Sequence, residues 1–230
     1  RPHDAPQPHP PLRPQPHREA GAAAPASHRR SRARPPAATD ARGRKVLATL
    51  EGDDGAVPST AEGLAKLTPV LKEGTVTFGT QTYPADGNCG MIVTSKDRAK
   101  ELSRDPKIEI QILSYGEGRA KKGFMAQAVV PAAEQALSIA GISIEDVKVI
   151  KTHNPFAVND IYFCREMKVK PEAMNNYGSS LIYGHPQGPT GQRLIIEMIE
   201  ELVLVGGGHG LFVGCAAGDT AAGVVIKVGV

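Results

Sequence analysis

An abrupt change of composition near residue 45 limits what this chain can fold into more than any other feature. Residues 1–44 contain ten of the 19 prolines, four of the seven histidines and nine arginines, with no lysine and no aromatic residue. Leu12 is their only Leu, Ile, Val or Phe. So little apolar surface cannot offset the roughly 1–2 kcal/mol per residue that ordering a backbone costs, and the segment is expected to be a disordered Pro/Arg/Ala-rich tail. A core must be built from the 186 residues that follow.

The tail also carries the basic balance. Nine arginines against Asp4, Glu19 and Asp40 give +6, so the formal net charge of +3 leaves −3 for residues 45–230. The run Arg29, Arg30, Arg32, Arg34 could neutralise phosphates. The plainer readings are a solvated tail, or sequence foreign to the native domain, such as a wrongly chosen start or a shifted reading frame. Nucleic acid is therefore not the expected partner. No apolar stretch is long enough for a secretory h-region or a membrane span. Cys89, Cys164 and Cys215 are odd in number and widely spaced, which speaks against a disulfide framework and a metal site and suits a reducing cytoplasm.

From Lys45 onward, short β-branched runs alternate with helical periodicity, the pattern of an α/β domain. A short helix and loop are expected over residues 60–72, with strands at Val76–Gly79, Met91–Thr94 and Ile108–Ser114 and a helical SKDRAKEL between the last two. In a longer helix over about Phe124–Ala140, Met125, Val129, Ala132, Ala133, Ala136 and Leu137 lie near one face, and Gly141 stops it. A strand over Asp146–Lys151 delivers Thr152-His153-Asn154-Pro155-Phe156 at its carboxyl end, where α/β sheets present ligand-binding groups. A helix over about Ala157–Met167 follows, then a glycine-punctuated loop at Tyr177–Gly188. Pro189 opens a helix running to about Val205, which Gly206-Gly207-Gly208 ends. Two apolar strands, Gly210–Cys215 and Ala222–Val228, form a closing hairpin.

His153 with Asn154, His185 and Cys215 stand at loop or turn positions. A single such residue is more often a structural hydrogen-bonding group, or a small buried hydrophobe, than a catalyst. Together, histidine and cysteine offer groups with ordinary pKa values of about 6.5 and 8.5, both tunable towards neutrality for acid/base work.

These positions fall in a specific pattern. Tyr183-Gly184-His185-Pro186-Gln187-Gly188-Pro189-Thr190-Gly191 resembles the thiolase signature G-H-P-x-G-x-[ST]-G, preceded by N-x-x-G at Asn175-Asn176-Tyr177-Gly178. Gly206-Gly207-Gly208-His209-Gly210 to Cys215 is similar to the thiolase run in which a glycine-rich turn leads into a strand ending in a catalytic cysteine. His153-Asn154-Pro155-Phe156 matches the block written N-E-A-F or H-D-C-F. Phe156 fixes the register, so that His153 takes the first position, as in the sterol-carrier-type branch. Leu67-Thr68-Pro69-Val70, Gly74-Thr75-Val76-Thr77 and Asp86-Gly87 resemble the family's linker.

The resemblance covers about residues 47–230 and implies a thiolase-like C-terminal domain with a mixed sheet covered by helices. It divides the chain into a tail at 1–44, a linker with the first elements at 45–105, and the C-terminal domain at 106–230. It further implies acyl transfer between coenzyme A and acetyl-CoA, by thiolytic cleavage or Claisen condensation, with acyl-CoA and coenzyme A as partners and no bound cofactor. Cys215 would exchange the α-carbon proton. His185 would activate the nucleophilic thiol and help bind the thioester oxygen, and His153 would orient the water or donor of an oxyanion hole. Asn154, Phe156, Gly184 and Gly218 would contact substrate.

The family's nucleophilic cysteine lies in an N-terminal half that this sequence does not match. Cys89 follows Asp86-Gly87-Asn88, where thiolases carry D-G-A-A before a core strand, and is expected to be core. Cys164 is expected to be structural. The chain thus reads as a thiolase-type enzyme lacking its nucleophile, or alternatively as a non-catalytic acyl-CoA-binding half that needs a partner. Whole thiolases are homo-oligomers that dimerise mainly through the N-terminal half. All of this requires residues 153, 185 and 215 to converge on one pocket.

Overall fold

The computed structural model describes residues 37–39, 43, 45–49 and 59–230, which fall into two compact units. In the first, β1 (Ala37–Thr39) pairs antiparallel with β2 (Val46–Thr49), and α1 (Ala61–Ala65) is capped by Thr60, whose Oγ1 accepts the Gly63 amide at 3.0 Å. Strand β1 lies inside the segment expected to be disordered. Pairing uses backbone groups alone, so Ala37–Thr39 need no apolar side chains to join β2. The Arg29–Arg34 run lies outside the described residues.

The second unit contains Thr68–Val230. Its elements are α2 (Lys96–Leu102), β3 (Glu109–Arg119), α3 (Val129–Ala140), β4 (Val147–His153), α4 (Ala157–Met167), α5 (Ser180–Tyr183), α6 (Thr190–Leu204), β5 (Gly208–Ala216) and β6 (Thr220–Gly229). The sheet order is β3-β6-β5-β4. β3 and β5 each run antiparallel to β6, while β4 runs parallel to β5, which makes the sheet mixed.

Two apolar layers cover it. On one face α3 packs through Val129, Val130, Ala132, Ala133, Ala136 and Leu137 against Ile150, Leu211, Val213 and Val225. On the other, Leu194, Met198 and Leu202 of α6 pack against Val149, Phe212, Ile226 and Val228. The alternation of Val149 with Ile150, and of Leu211 and Val213 with Phe212, is the two-residue strand period dividing side chains between the layers.

Strand β3 extends five residues beyond the Ile108–Ser114 expected from sequence, through Tyr115-Gly116-Glu117-Gly118-Arg119. The reason is the closeness of α3. A Cβ on Gly118 would lie 2.1 Å from the Ala128 carbonyl oxygen, and one on Gly116 would lie 2.3 Å from that of Ala132. Glycine, usually a strand breaker, is here what lets the helix backbone rest on the strand. The expected strands at Val76–Gly79 and Met91–Thr94 do not form. Phe78–Thr80 is a 3-10 turn boxed by Thr77 and Thr80, and Ile92 and Val93 are exposed with no partner strand among the described residues. Helix α4 matches the Ala157–Met167 expected, and Gly141 caps α3 in the left-handed conformation at φ 69°.

Candidate active site

Parallel pairing brings the carboxyl ends of β4 and β5 side by side, with His153 opposite Gly214. His153 therefore ends one strand where Cys215 nearly ends the next. Gly214 makes the approach possible, since a Cβ there would sit 2.9 Å from the Phe212 ring and 3.3 Å from the His153 Cβ. His185 arrives from the loop between α5 and α6. Its amide donates to the Tyr83 carbonyl at 2.8 Å, and Gly184 before it adopts φ 76°, with space for no Cβ beside Ala85 and Tyr83.

The two imidazoles lie with ring centroids 4.3 Å apart and planes inclined by 33°. Together with Cys215 they line one open cavity of about 490 Å³, shared with Gln187, Thr190, Gly191, Phe212, Gly214, Ala216 and Ala217. By strand alternation Cys215 belongs to the α3 layer and His153 to the α6 layer, and they meet only because the cavity spans the strand ends.

Each group is held by a neighbour. His153 Nδ1 is 2.9 Å from Ser180 Oγ, and His185 Nδ1 is 2.8 Å from Thr190 Oγ1. Asn159, on the first turn of α4, donates from Nδ2 to Cys215 Sγ at 3.2 Å. Behind it, the Asp160 carboxylate accepts from Thr152 Oγ1 at 2.6 Å and from Asn154 Nδ2, and Asn175 donates to Thr152 Oγ1 at 2.7 Å. Burial raises the Asp160 carboxyl, and the bonds from Thr152 and Asn154 oppose the rise.

Burial, the His185 ring and the Arg193 guanidinium push His153 down to about 4, so it is neutral at physiological pH. Burial lowers His185 in the same direction. Burial raises the Cys215 thiol, and the Asn159 bond works against it.

A stability prediction follows from His153. The unfolded chain binds a proton at about pH 6.5 and the native imidazole only at about 4. As pH falls through that window the unfolded state takes up protons that the native state refuses, so stability drops, by on the order of 3 kcal/mol at most. Denaturant midpoints at pH 7 and pH 4.5 should show the loss, and it should shrink in His153→Gln. An equal loss in both proteins would refute the cause.

The other candidates lie elsewhere. Asn154 is buried, turned to Asp160, and is not part of the cavity wall. Phe156 lines a second, apolar pocket of about 350 Å³ with Val70, Leu71 and Val76. Gly184 packs on Tyr83 and Ala85, and Gly218 sits exposed at the β5–β6 turn with φ 86°. Cys89 belongs to neither core cluster, contrary to expectation. It is partly buried, with Sγ donating to the Pro189 carbonyl at 3.3 Å, which holds it against the start of α6 and not in the sheet. Cys164 packs at the edge of the α3 layer, where burial pushes its thiol up to about 11. Sequence reasoning missed Asn159, Ser180, Gln187, Thr190 and Phe212. Only Thr190 and Gln187 carried a signal, as members of the His185 motif.

Residues 106–228 match the family profile described as the thiolase C-terminal domain. This chain belongs to the thiolase family. Residues in common with an acetyl-CoA acetyltransferase of Syntrophomonas wolfei amount to 30% over 189 positions, covering 81% of this chain and 47% of that one. A 3-ketoacyl-CoA thiolase of Idiomarina loihiensis is 36% identical over 151 residues, covering 62% and 38%. In three dimensions the thiolase fold is shared with the Bacillus anthracis acetyl-CoA acetyltransferase (TM-score 0.73, 27% identity, 84% of this chain and 48% of that one). It is shared too with human mitochondrial 3-ketoacyl-CoA thiolase in complex with CoA (TM-score 0.67, 28% identity, 78% and 45%). The chain thus spans about half the length of the thiolases it matches. Among the described residues no helix is long and apolar enough to cross a membrane, and no cluster of side chains could hold a metal ion.

Proposed function

We propose that this chain supplies the proton-handling side of a thiolase-type acyl transfer between coenzyme A and acetyl-CoA. The observation that carries the reading is the meeting of two imidazoles, 4.3 Å apart, and one thiol at a single open cavity. In the tautomer whose Nδ1 accepts from the Ser180 hydroxyl, a neutral His153 keeps its hydrogen on Nε2, where it can donate to a thioester oxygen or to a water beside it. In the tautomer with its hydrogen on Nδ1, facing Thr190 Oγ1, His185 leaves Nε2 free to take the proton of an attacking thiol. Cys215, kept protonated by burial, gives its proton to the carbanion that departs in cleavage, and its thiolate receives one in condensation. His153 at the head of its block supports kinship with the H-D-C-F branch.

Neither Cys89 nor Cys164 lines the cavity, which supports assigning the attacking thiol to neither of them. That thiol comes from polypeptide outside these residues, a dependence that also fits a binding half completed by a partner. Three free thiols fit the reducing cytoplasm.

Co-expression with the N-terminal half of a thiolase relative tests the reading. Thiolysis of acetoacetyl-CoA should appear, and Cys215→Ala should lower it by a factor on the order of 10²–10⁴. Activity indifferent to Cys215→Ala would overturn the assignment. So would turnover by the chain alone above its Cys215→Ala control, as regards the source of the nucleophile. Binding of acyl-CoA with no turnover even in the completed assembly would favour the binding half.

A further inference from the structure

Among the described residues the Cys215 thiol has one side-chain hydrogen-bond partner, and it comes from an element 56 residues away that neither the signature motifs nor the cavity lining include. Asn159 is 2% exposed, with its Nδ2 3.2 Å from Sγ. Its Oδ1 is buried and meets no donor among the described residues. A buried amide oxygen without a partner costs about 1–3 kcal/mol, a cost that packing alone would remove by substituting an apolar side chain. What the amide supplies that an apolar side chain would not is a donor facing a sulfur.

We infer that Asn159 is the positioning residue for Cys215, a fixed N–H donor that holds the sulfur at the cavity wall and stabilises its thiolate. The inference rests on the reading of Cys215 as the group that exchanges a proton. A hydrogen bond to sulfur is stronger when the sulfur is charged, so a donor fixed at this distance favours proton loss in an environment that otherwise opposes it. The other titratable groups around the thiol are Asp160 on α4, whose negative charge disfavours the thiolate, and His153 and His185 across the cavity. The last two are neutral near pH 7 because burial holds both below their ordinary value. Asn159 is therefore the fixed donor at a site whose nearest formal charge is unfavourable.

The test reads the thiol itself and needs no substrate. The full chain is alkylated with iodoacetamide across a pH series, and modification of Cys215 is followed by peptide mass spectrometry, with Cys164 as internal reference. Asn159→Leu should move the midpoint for Cys215 upward by about one pH unit, a tenfold fall in rate at any pH below the midpoint. The Cys164 profile should stay in place. Asn159→Asp keeps the shape and replaces the donor by an acceptor, and should shift the midpoint in the same direction. It serves if the leucine variant does not fold. An unchanged Cys215 midpoint in whichever variant retains the wild-type melting profile would overturn the inference. Because no turnover is measured, this failure is distinct from failure of the acyl-transfer reading, which the Cys215→Ala comparison in the completed assembly decides.

Discussion

Gly118→Val is expected to unfold the domain or to lower its melting temperature by about 10 °C. A Cβ at this position would lie 2.1 Å from the Ala128 carbonyl oxygen and 2.8 Å from the Ala132 amide nitrogen. Both are backbone atoms of the turn that starts α3, so no rotamer change can relieve the clash. Gly116 and Gly223 meet the same helix at Ala132 and Ala136, and Ala128, Ala132, Ala133 and Ala136 are all fully buried. Helix and sheet approach backbone to backbone along this line, and any added carbon must lift α3 from β3, β5 and β6 together. Overpacking where a side chain can yield costs roughly 1–3 kcal/mol. Here about 3 kcal/mol is a lower bound, and at 2–4 °C per kcal/mol for a domain of this size the melting shift follows. Gly90, whose Cβ would meet nothing within 4 Å, provides the control. If Gly118→Val melts within a degree or two of Gly90→Ala, the close packing is not what supports this half of the sheet.

Lys151→Met should cost about 3–5 kcal/mol. Lys151 is fully buried on β4, and its ammonium lies 2.8 Å from Glu197 and 2.7 Å from Glu201, both on α6. Asn176 donates to Glu201 at 2.7 Å, Arg193 pairs with Glu197 at 3.2 Å, and the Tyr177 ring lies 5.1 Å from the ammonium. Removing the lysine leaves two carboxylates facing an apolar strand. Glu197 keeps Arg193, but Glu201 keeps only an amide. The double variant Lys151→Met with Glu201→Gln should therefore recover part of the loss, as measured by denaturant unfolding. If the single variant loses under about 1 kcal/mol, the pair contributes no more than a surface salt bridge. The network also bears on the candidate site. Lys151 stands two residues before His153 on the same face of β4, and α6 begins at Thr190, which holds His185, so the buried charges tie the strand that carries His153 to the helix whose first residue holds His185.

What the sequence determined by itself was local. The helix over Ala157–Met167, the stop at Gly141 and the placing of His153 at a strand end depend on periodicity, capping and the 3.6- and 2-residue repeats, which neighbouring residues settle among themselves. By resemblance, the motif around His185 also pointed to a pocket shared with His153 and Cys215, and the three do line one cavity. Tertiary structure decided the rest, because it depended on atoms far apart in sequence. Gly116 and Gly118 look like the end of a strand until α3 lies across them. Val76 and Met91–Thr94 have strand-forming side chains and no strand paired with them among the described residues. Nothing local marks Lys151 as the partner of two carboxylates until α6 brings them to it, or Asn159 as the partner of a thiol until β5 carries Cys215 to its amide. Period and capping are properties of a segment, whereas burial and partnership belong to pairs of segments, and only folding brings those pairs together.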